Sequence, residues 1–348
     1  MTPPTAHRRH EGVVLLVVLF FVLLLSSSIA TFLRRVAVDA GVATNRDRAR
    51  QAEALARGGV RLAQVLLLED LRLRQGQSVP QVDSPHSVWG RVAGVDLIDD
   101  PDVSLVLDIE DAAARINLNG FLKQGTGGQG PGADPAKTAL LAQLLAGVIA
   151  AMPGKSDEKR YDPAELAANL IDWVDADDVR QSGGPEDEPY LRRDPPYRPP
   201  NRPLLSVDEL RMIDGFDGPL VEALRPYVTV FPLVGDAAIN LNTAPPWVLA
   251  QIQVSPAASE ARPLQEDDVK RILDARDAGM ICSSNAQPGC TSLGDLFQNQ
   301  TLQPAVTFTS SVFVVRARAR VVDVERTVEA VIDRSKPSEM VRLAWRVD

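Results

Sequence analysis

Hydrophobic positions are most concentrated in residues 13–33, a run of about 20 residues that contains no charge. As a helix, such a run is long enough to cross the roughly 30 Å hydrocarbon core of a bilayer. Arg8 and Arg9 lie just before it, and basic residues favour the cytoplasmic side of a membrane. The pattern predicts one spanning helix with a cytoplasmic N-terminus.

The predicted helix continues well beyond the apolar run. No proline occurs between Pro4 and Pro80, so one helix can extend from residue 13 to about residue 75. Its second half is amphipathic, because apolar residues recur at helical spacing opposite an arginine-rich face. The apolar positions are Ala40, Ala43, Leu55, Leu62, Val65 and Leu66, and the arginines are Arg46, Arg48, Arg50, Arg57 and Arg61. We therefore predict a membrane half over 13–33 and an amphipathic half over 34–79.

Three interpretations of the N-terminus compete. Ser28-Ile29-Ala30 fits the small-x-small cleavage site of a secretory signal, and a simple signal anchor is also consistent with the apolar run. The third is a prepilin leader over residues 1–12, because Gly12 directly precedes the apolar run. A prepilin peptidase cuts after such a glycine, which would make Val13 the first, methylated residue. The long amphipathic continuation favours this third interpretation, since a signal or a simple anchor needs none.

Alternating apolar and polar positions predict an antiparallel sheet in two separated parts. Residues 103–110 form the first strand, and residues 311–322, 326–333 and 341–347 form the others. The fold class is therefore α+β. A pilin-like long helix packs on a small sheet, contributed by residues 80–116 and 310–348, and an inserted domain interrupts the sheet.

The insertion, residues 117–309, is predicted to be all-α, of a SAM-like or helix-hairpin type. Its helices are expected over 136–152, 164–174, 219–227, 245–252, 266–278 and 292–298, with one more after the capping residue Ser206. The stretch RINLNG at 115–120 is echoed by AINLNT at 238–243. This echo predicts two subdomains, over about 117–237 and 238–309.

Composition limits the chemistry. The chain of 348 residues has a net charge of -9, which makes it a poor binder of phosphate backbones. Its histidines are His7, His10 and His86, and its cysteines are Cys282 and Cys290. The cysteines are close in sequence, and on an exported body they are expected to form a disulfide, with two unpaired thiols as the alternative.

An acidic stretch within the insertion predicts a metal site. Residues 172–188 contain seven carboxylates, and hard oxygen ligands favour calcium. The EF-hand pattern fails, because Arg180 stands where that loop requires glycine. The expected ligands are Asp175, Asp177, Glu186 and Asp187, with Asp172 and Asp178 as further candidates. The alternatives are a solvated loop neutralised by Arg180, Arg192 and Arg193, or a general acid/base pair.

The chain resembles the general secretion pathway protein K family, the minor pseudopilin K of the type II secretion system. The resemblance rests on the Gly12 boundary and on several longer stretches. These are ARINLNG at 114–120, LIDWVDADD at 170–178, GGPEDEPY at 183–190, PPYRPPNRPLLSVDELRMIDGFD at 195–217, AINLNTAPPWVLAQI at 238–252 and SSVFVVRARARV at 310–321. Val17, the fifth residue after Gly12, stands where pilins generally have glutamate, and the K family characteristically lacks that glutamate too.

The resemblance implies a non-enzymatic subunit at the tip of a periplasmic pseudopilus. Its implied partners are the I and J pseudopilins, the H type, the prepilin peptidase, the secretion machinery with its secreted substrates, and the inner membrane. It also implies calcium in the helical domain and a periplasmic body. Two alternatives from other classes are a helix-hairpin-helix DNA-binding protein of DNA uptake, with its hairpin at 252–262, and an envelope enzyme with an acidic site.

Overall fold

The structure is a computed structural model that describes residues 11–74, 81–122, 132–153, 161–255, 261–283, 289–298, 300–336 and 340–348. Its helices are α1 (Glu11–Arg74), α2 (Val88–Arg91), α3 (Pro135–Ala151), α4 (Pro163–Val174), α5 (Glu188–Leu191), α6 (Gly218–Leu224), α7 (Pro246–Leu249), α8 (Glu266–Ala278) and α9 (Leu293–Phe297). Its strands are β1 (Val103–Asp111), β2 (Ile116–Asn117), β3 (Val228–Thr229), β4 (Ile239–Asn240), β5 (Gln253–Ser255), β6 (Arg262–Pro263), β7 (Met280–Cys282), β8 (Cys290–Ser292), β9 (Thr301–Gln303), β10 (Val306–Thr307), β11 (Val312–Val321), β12 (Val324–Asp333) and β13 (Val341–Val347).

Helix α1 is a single unbroken helix of 64 residues, which confirms the predicted long helix. Its apolar first half is fully exposed, and its most hydrophobic window has a mean hydropathy of 3.0 with no burial. By length and composition, this segment can cross a membrane and is a candidate anchor. Residues 1–10, most of the predicted leader, lie outside the described residues.

The second half of α1 packs on the sheet through a face made mostly of small residues. The buried positions are the small or medium residues Ala52, Ala56, Val60, Ala63 and Leu67. Of the apolar positions noted in the sequence, Leu55 and Leu66 pack against this core, whereas Leu62 and Val65 are 40% and 60% exposed.

Close approach of the helix and the sheet explains this choice of face. A Cβ added to Gly59 would lie only 2.9 Å from methyl carbons of Leu105 and Leu107. Small side chains on α1 therefore allow the helix to lie directly on the strands.

The sheet confirms the predicted split topology, with strand order β1-β11-β12-β13 and every pairing antiparallel. Asp111 at the end of β1 pairs with Phe313 near the start of β11. Residues from both parts of the chain form one core against α1, including Leu107, Phe313 and Ile332. Trp89 of α2, a helix that the sequence analysis missed, closes this core beside Phe313.

The insertion has its own hydrophobic core, around α3, α4 and α6. Helices α3, α4 and α8 lie within a residue of their predicted bounds. The residues after Ser206 form a 3-10 helix (Val207–Met212), and the prediction over 245–252 is reduced to the four residues of α7. The insertion also contains the short strands β2 to β10, which the all-α prediction did not include.

The echoed asparagines perform the same task in both halves of the insertion. Asn119 donates to the carbonyl of Leu204 (2.9 Å) and accepts from the N–H of the same residue (2.8 Å). Asn242 makes the same pair of bonds with Ile281, at 2.9 and 2.8 Å. Each asparagine side chain thus imitates a strand partner and links its turn to a distant segment.

A buried ion-pair cluster joins the helix, the sheet and the insertion. Arg334, 1% exposed, contacts Asp70 at 3.2 Å and also pairs with Asp83, while Arg74 contacts Asp83 at 3.1 Å and pairs with Asp70. Asp83 also accepts from the N–H of Ser310 at 2.8 Å. Each charge is therefore matched within the protein, as buried charges require.

Replacing Arg334 with methionine should lower the free energy of unfolding by about 3–5 kcal/mol, because Asp70 and Asp83 would then share Arg74 alone. Urea unfolding of the full chain in detergent measures the change. Arg318→Met, on the exposed face of the same sheet, is the matched control and should change stability by less than about 0.5 kcal/mol. Equal effects of the two substitutions would contradict a structural role for the cluster.

Candidate metal centre

The acidic stretch begins at the C-terminal end of α4. Asp162 caps the start of this helix by accepting from the N–H groups of Ala164 and Glu165, at 2.9 and 3.3 Å. Asp172 lies in the last turn, and Asp175 is the residue that ends the helix. Because residues three apart share a helix face, both carboxylates lie on the same side of the chain.

A tight turn brings the third carboxylate back to the first two. Val179 and Pro185 form an antiparallel bridge, and the N–H of Arg180 donates to the carbonyl of Gly184 at 3.0 Å. Gly183 and Gly184 adopt φ values of +87° and +93°, a left-handed conformation that favours glycine. The turn places Glu186 next to the end of α4.

Asp172, Asp175 and Glu186 form a compact, buried group of carboxylates. Each offers an oxygen within 4.8 Å of the others, and all three residues are at most 5% exposed. Asp175 Oδ1 and both oxygens of Glu186 have no hydrogen-bond partner within the described part of the chain. Unpartnered buried carboxylate oxygens that converge on one point are the donor set of a hard cation such as calcium.

Burial and mutual repulsion raise the pKa of all three acids. Removal from water is the main cause, and it raises the pKa of Asp175 to about 7 and that of Glu186 to about 8. Repulsion from neighbouring carboxylates adds to both shifts. Burial also raises the pKa of Asp172. The N–H of Gln181 donates to Asp172 at 3.1 Å, and this hydrogen bond opposes the rise in pKa. A bound cation would favour the ionised forms of these groups.

The other three predicted ligands are directed elsewhere. Asp177 is exposed and accepts from the N–H of Val179 at 2.9 Å. Asp178 accepts from the side-chain amide of Asn201 at 3.2 Å, and Asp187 pairs with Arg198 at 2.6 Å. The structure therefore brings three of the six candidates together, although Asp177 still contributes charge to the centre.

The arginines of this region do not neutralise the buried group directly. Arg192 pairs with Glu188, and Arg193 pairs with Asp214 at 2.9 Å. Arg180 donates to Asn169 at 3.3 Å and acts on Asp172 only at a distance. In the described ranges, no lysine or arginine forms an ion pair with Asp172, Asp175 or Glu186. This arrangement disfavours the solvated-loop alternative.

Aromatic residues support the centre, and the sequence analysis did not identify them. The buried ring of Trp173 contacts Tyr190 and Tyr197, with centroid distances of 5.2 and 6.1 Å. The guanidinium of Arg193 lies over both tyrosines. Trp173 precedes the turn at 179–185, and Tyr190 and Tyr197 follow it in EPYLRR and PPYRPP, a spacing that was a usable signal of a packed loop.

The remaining sequence predictions fall outside this centre. Cys282 and Cys290 form a disulfide that links β7 to β8. The proposed DNA-binding hairpin at 252–262 includes strand β5, which pairs with β9, whereas residues 256–260 are not described. A strand therefore occupies the first part of the segment where that alternative needs a hairpin between two helices. Val13 lies in the exposed apolar half of α1.

Part of the insertion matches a known protein family. Residues 114–233 match the family model of the type II secretion system (T2SS), protein K. The type II secretion system protein K of Pseudomonas aeruginosa is 33% identical over 222 residues, which cover 62% of this chain and 60% of the relative. The protein of the same name from Aeromonas hydrophila is 29% identical over 278 residues, 76% of each chain.

A solved structure shares the fold. A chain in the crystal structure of the GspK-GspI-GspJ complex from the enterotoxigenic Escherichia coli type 2 secretion system matches with a TM-score of 0.59 and 21% identity. The match covers 88% of this chain and 99% of the other. It confirms the fold class inferred from the sequence, and the family match over residues 114–233 supports the resemblance.

In the presence of a chelator, the melting temperature should fall as the pH rises from about 5 to 8. The folded chain retains protons on Asp175 and Glu186 up to pH values of about 7 and 8, whereas the unfolded chain releases them near 4. The folded state thus binds more protons in this window, and its stability decreases with pH. Thermal melts in EDTA measure the slope. It should flatten in Glu186→Gln, and an unchanged slope in that variant would contradict the assignment.

Proposed function

We propose that this chain, which carries the type II secretion system protein K match described above, is a minor pseudopilin that caps the tip of a periplasmic pseudopilus. The observation that carries the proposal is α1, an unbroken helix whose first half is exposed and apolar while its second half supports a folded body. At 1.5 Å per residue it is about 96 Å long, enough to cross a bilayer and to continue into a fibre. We propose a non-enzymatic, architectural role.

The outer face of α1 supports assembly with other helices. Small residues bury the inner face on the sheet, so Leu62 and Val65 remain exposed away from the strands. Exposed apolar side chains outside the membrane segment are candidates for contact with another surface. Neighbouring pseudopilin helices would cover them in a fibre.

Val17 supports a position at the top of that fibre. Pilins generally carry a glutamate at this place, which neutralises the N-terminal amine of a neighbouring subunit. A topmost subunit has no neighbour above it that needs such a partner. The proposed assembly therefore contains the I and J pseudopilins below this chain, the H type farther down, and the secretion machinery with its secreted substrates around them. The likeness to a chain of the GspK-GspI-GspJ complex supports the first two partners.

We expect a Val65→Glu substitution to prevent co-purification of the full chain with the I and J pseudopilins from detergent-solubilised membranes. A buried charge in a helix interface is costly, and Val65 is 60% exposed in the free chain. Val234→Glu is the matched control, since Val234 is 68% exposed on the insertion, away from α1. Recovery of the complex with Val65→Glu at the level of the control would contradict the proposed packing.

We also propose that prepilin peptidase removes residues 1–12, leaving Val13 as the first residue and the body in the periplasm. N-terminal sequencing and mass measurement of the protein recovered from the inner membrane test this. The expected first residue is Val13, carrying a methyl group. A start at Thr31 would indicate a secreted protein, and a start at Met1 would indicate a simple anchor.

Asp172, Asp175 and Glu186 are proposed to hold calcium, with Asp177 as a neighbouring charge. The support is the convergence of three buried carboxylates, of which Asp175 and Glu186 carry unpartnered oxygens. When bound, the cation would supply the positive charge that neutralises these three carboxylates. The residues of the chain would join the end of α4 to the turn at 179–185, fixing that side of the insertion.

Calcium should raise the melting temperature of the full chain in detergent relative to EDTA, because ligand binding to the folded state adds stability. The increase should disappear in Glu186→Gln. Glu188→Gln is the matched control, since Glu188 is exposed and pairs with Arg192. Loss of the calcium effect in both variants, or in neither, would contradict the proposed ligand set.

A further inference from the structure

The two edge strands of the four-stranded sheet, β1 and β13, differ in whether another segment forms hydrogen bonds to their outer side. A segment of residues 94–97 covers the outer edge of β1, because the N–H groups of Leu97 and Gly94 donate to the carbonyls of Leu105 (2.9 Å) and Leu107 (2.7 Å). Strand β13 pairs with β12 on its inner side. Over the part of the chain that the structure describes, no backbone hydrogen bond reaches the outer side of β13. An open strand edge is a template for another strand.

A bulge in β13 arranges the side chains beside that open edge. The register shifts between Val331 and Ile332, so that Trp345 lies opposite Ala330 and Arg342 lies opposite Ile332. Ala330 and Ile332 belong to the core under α1. The bulge therefore places Arg342 and Trp345 on the same face of the sheet, although they are three residues apart.

Arginines from α1 converge on the same place. The guanidinium of Arg342 lies 5.1 Å from the centroid of the Trp345 ring, and that of Arg57 lies 5.9 Å from it. Arg61 lines the same groove, which has a volume of ≈ 770 Å³ and runs between α1 and β13. Trp345 is 37% exposed, so its ring is open to a further contact.

The charge of this groove is opposite to that of the whole chain. Arg57 pairs with Glu53 at 2.6 Å, but Arg61 and Arg342 form no ion pair with any residue that the structure describes. On the other face of the sheet, by contrast, Arg316 lies within 4 Å of Glu329, Glu110 and Asp108. A chain of net charge -9 thus presents uncompensated cations beside its open strand edge.

We propose that the outer edge of β13 binds an extended, acidic strand of a partner protein. The partner strand would extend the sheet through backbone hydrogen bonds, and carboxylates at alternating positions would meet Arg342, Arg61 and Arg57. A second copy of this chain is a poor occupant, because pairing β13 with itself would bring arginines against arginines. The proposal does not depend on the role in a pseudopilus.

The test uses an eight-residue peptide of alternating glutamate and valine, labelled for fluorescence anisotropy, against the full chain in detergent. The peptide should bind, and its affinity should fall as the salt concentration rises. A peptide with the same side chains and N-methyl groups on alternate residues should bind at least about tenfold more weakly, because it cannot donate along the edge. An alternating lysine and valine peptide should not bind.

Variants of the chain locate the binding surface. Arg342→Glu and Arg61→Glu should each weaken binding by at least about tenfold, with melting temperatures near that of the unmodified chain. Arg318→Glu, which makes the same charge change on the opposite face of the sheet, should leave binding unchanged.

Three results would overturn the proposal. Equal binding of the N-methylated peptide would show simple charge attraction, and equal weakening by Arg318→Glu would show a nonspecific effect. Failure of the acidic peptide to bind, accompanied by self-association of the chain that Arg342→Glu abolishes, would identify a second copy as the occupant.

Discussion

Four buried charges, those of Arg334, Asp70, Asp83 and Arg74, hold the parts of this molecule in one arrangement. They belong to the end of α1, the segment after it and the residue that follows β12. Asp83 extends the cluster into the insertion, since its carbonyl accepts from the side chain of Asn240 at 3.0 Å and its N–H donates to Phe308 at 2.8 Å. A buried ion pair adds little net stability over an apolar contact, but a mismatched one is very costly. The cluster therefore restricts how the insertion can sit on the pilin-like body.

Because the insertion is held in place, the geometry of the acidic centre depends on the hydrophobic core of the insertion. Helix α4 is anchored in that core through residues such as Leu170 and Trp173, so the helix itself determines the position of Asp172 and Asp175. Only Glu186 has to be delivered by a loop, and two left-handed glycines allow the turn that delivers it. The site thus depends on helix α4 for two of its carboxylates and on a short turn with two glycines for the third.

The sequence predicted elements whose cause is local. The absence of proline defined α1, and period-two alternation defined β11 and β12. The sequence did not indicate which face of α1 meets the sheet, because hydrophobicity alone favours Leu62 and Val65, whereas the close sheet selects Ala52, Ala56 and Gly59. Strands of two or three residues, such as β2 and β4, are defined by partners far away in the chain and carry no periodicity of their own.

The acidic centre shows the same limit. Spacing along a helix brings Asp172 near Asp175, and this could be predicted. Whether Glu186 or Asp187 turns inward depends on a bridge between Val179 and Pro185 and on a pairing with Arg198, neither of which is visible in composition. No sequence pattern indicated the role of Arg334 in the ion-pair cluster, because that role depends on where β12 ends in the folded chain.

The pairing of β1 with β11 has a consequence for how the protein is made. Asp111 and Phe313 are neighbours in the sheet, yet the whole insertion is synthesised between them. As the chain emerges, β1 must remain without its partner until about two hundred further residues have followed, a late, long-range step of the kind that slows folding. The insertion, with a separate core, can fold during that interval and bring the two strands to the same place. Biogenesis would then proceed from the membrane helix to the inserted domain, and the sheet nearest the membrane would be completed last.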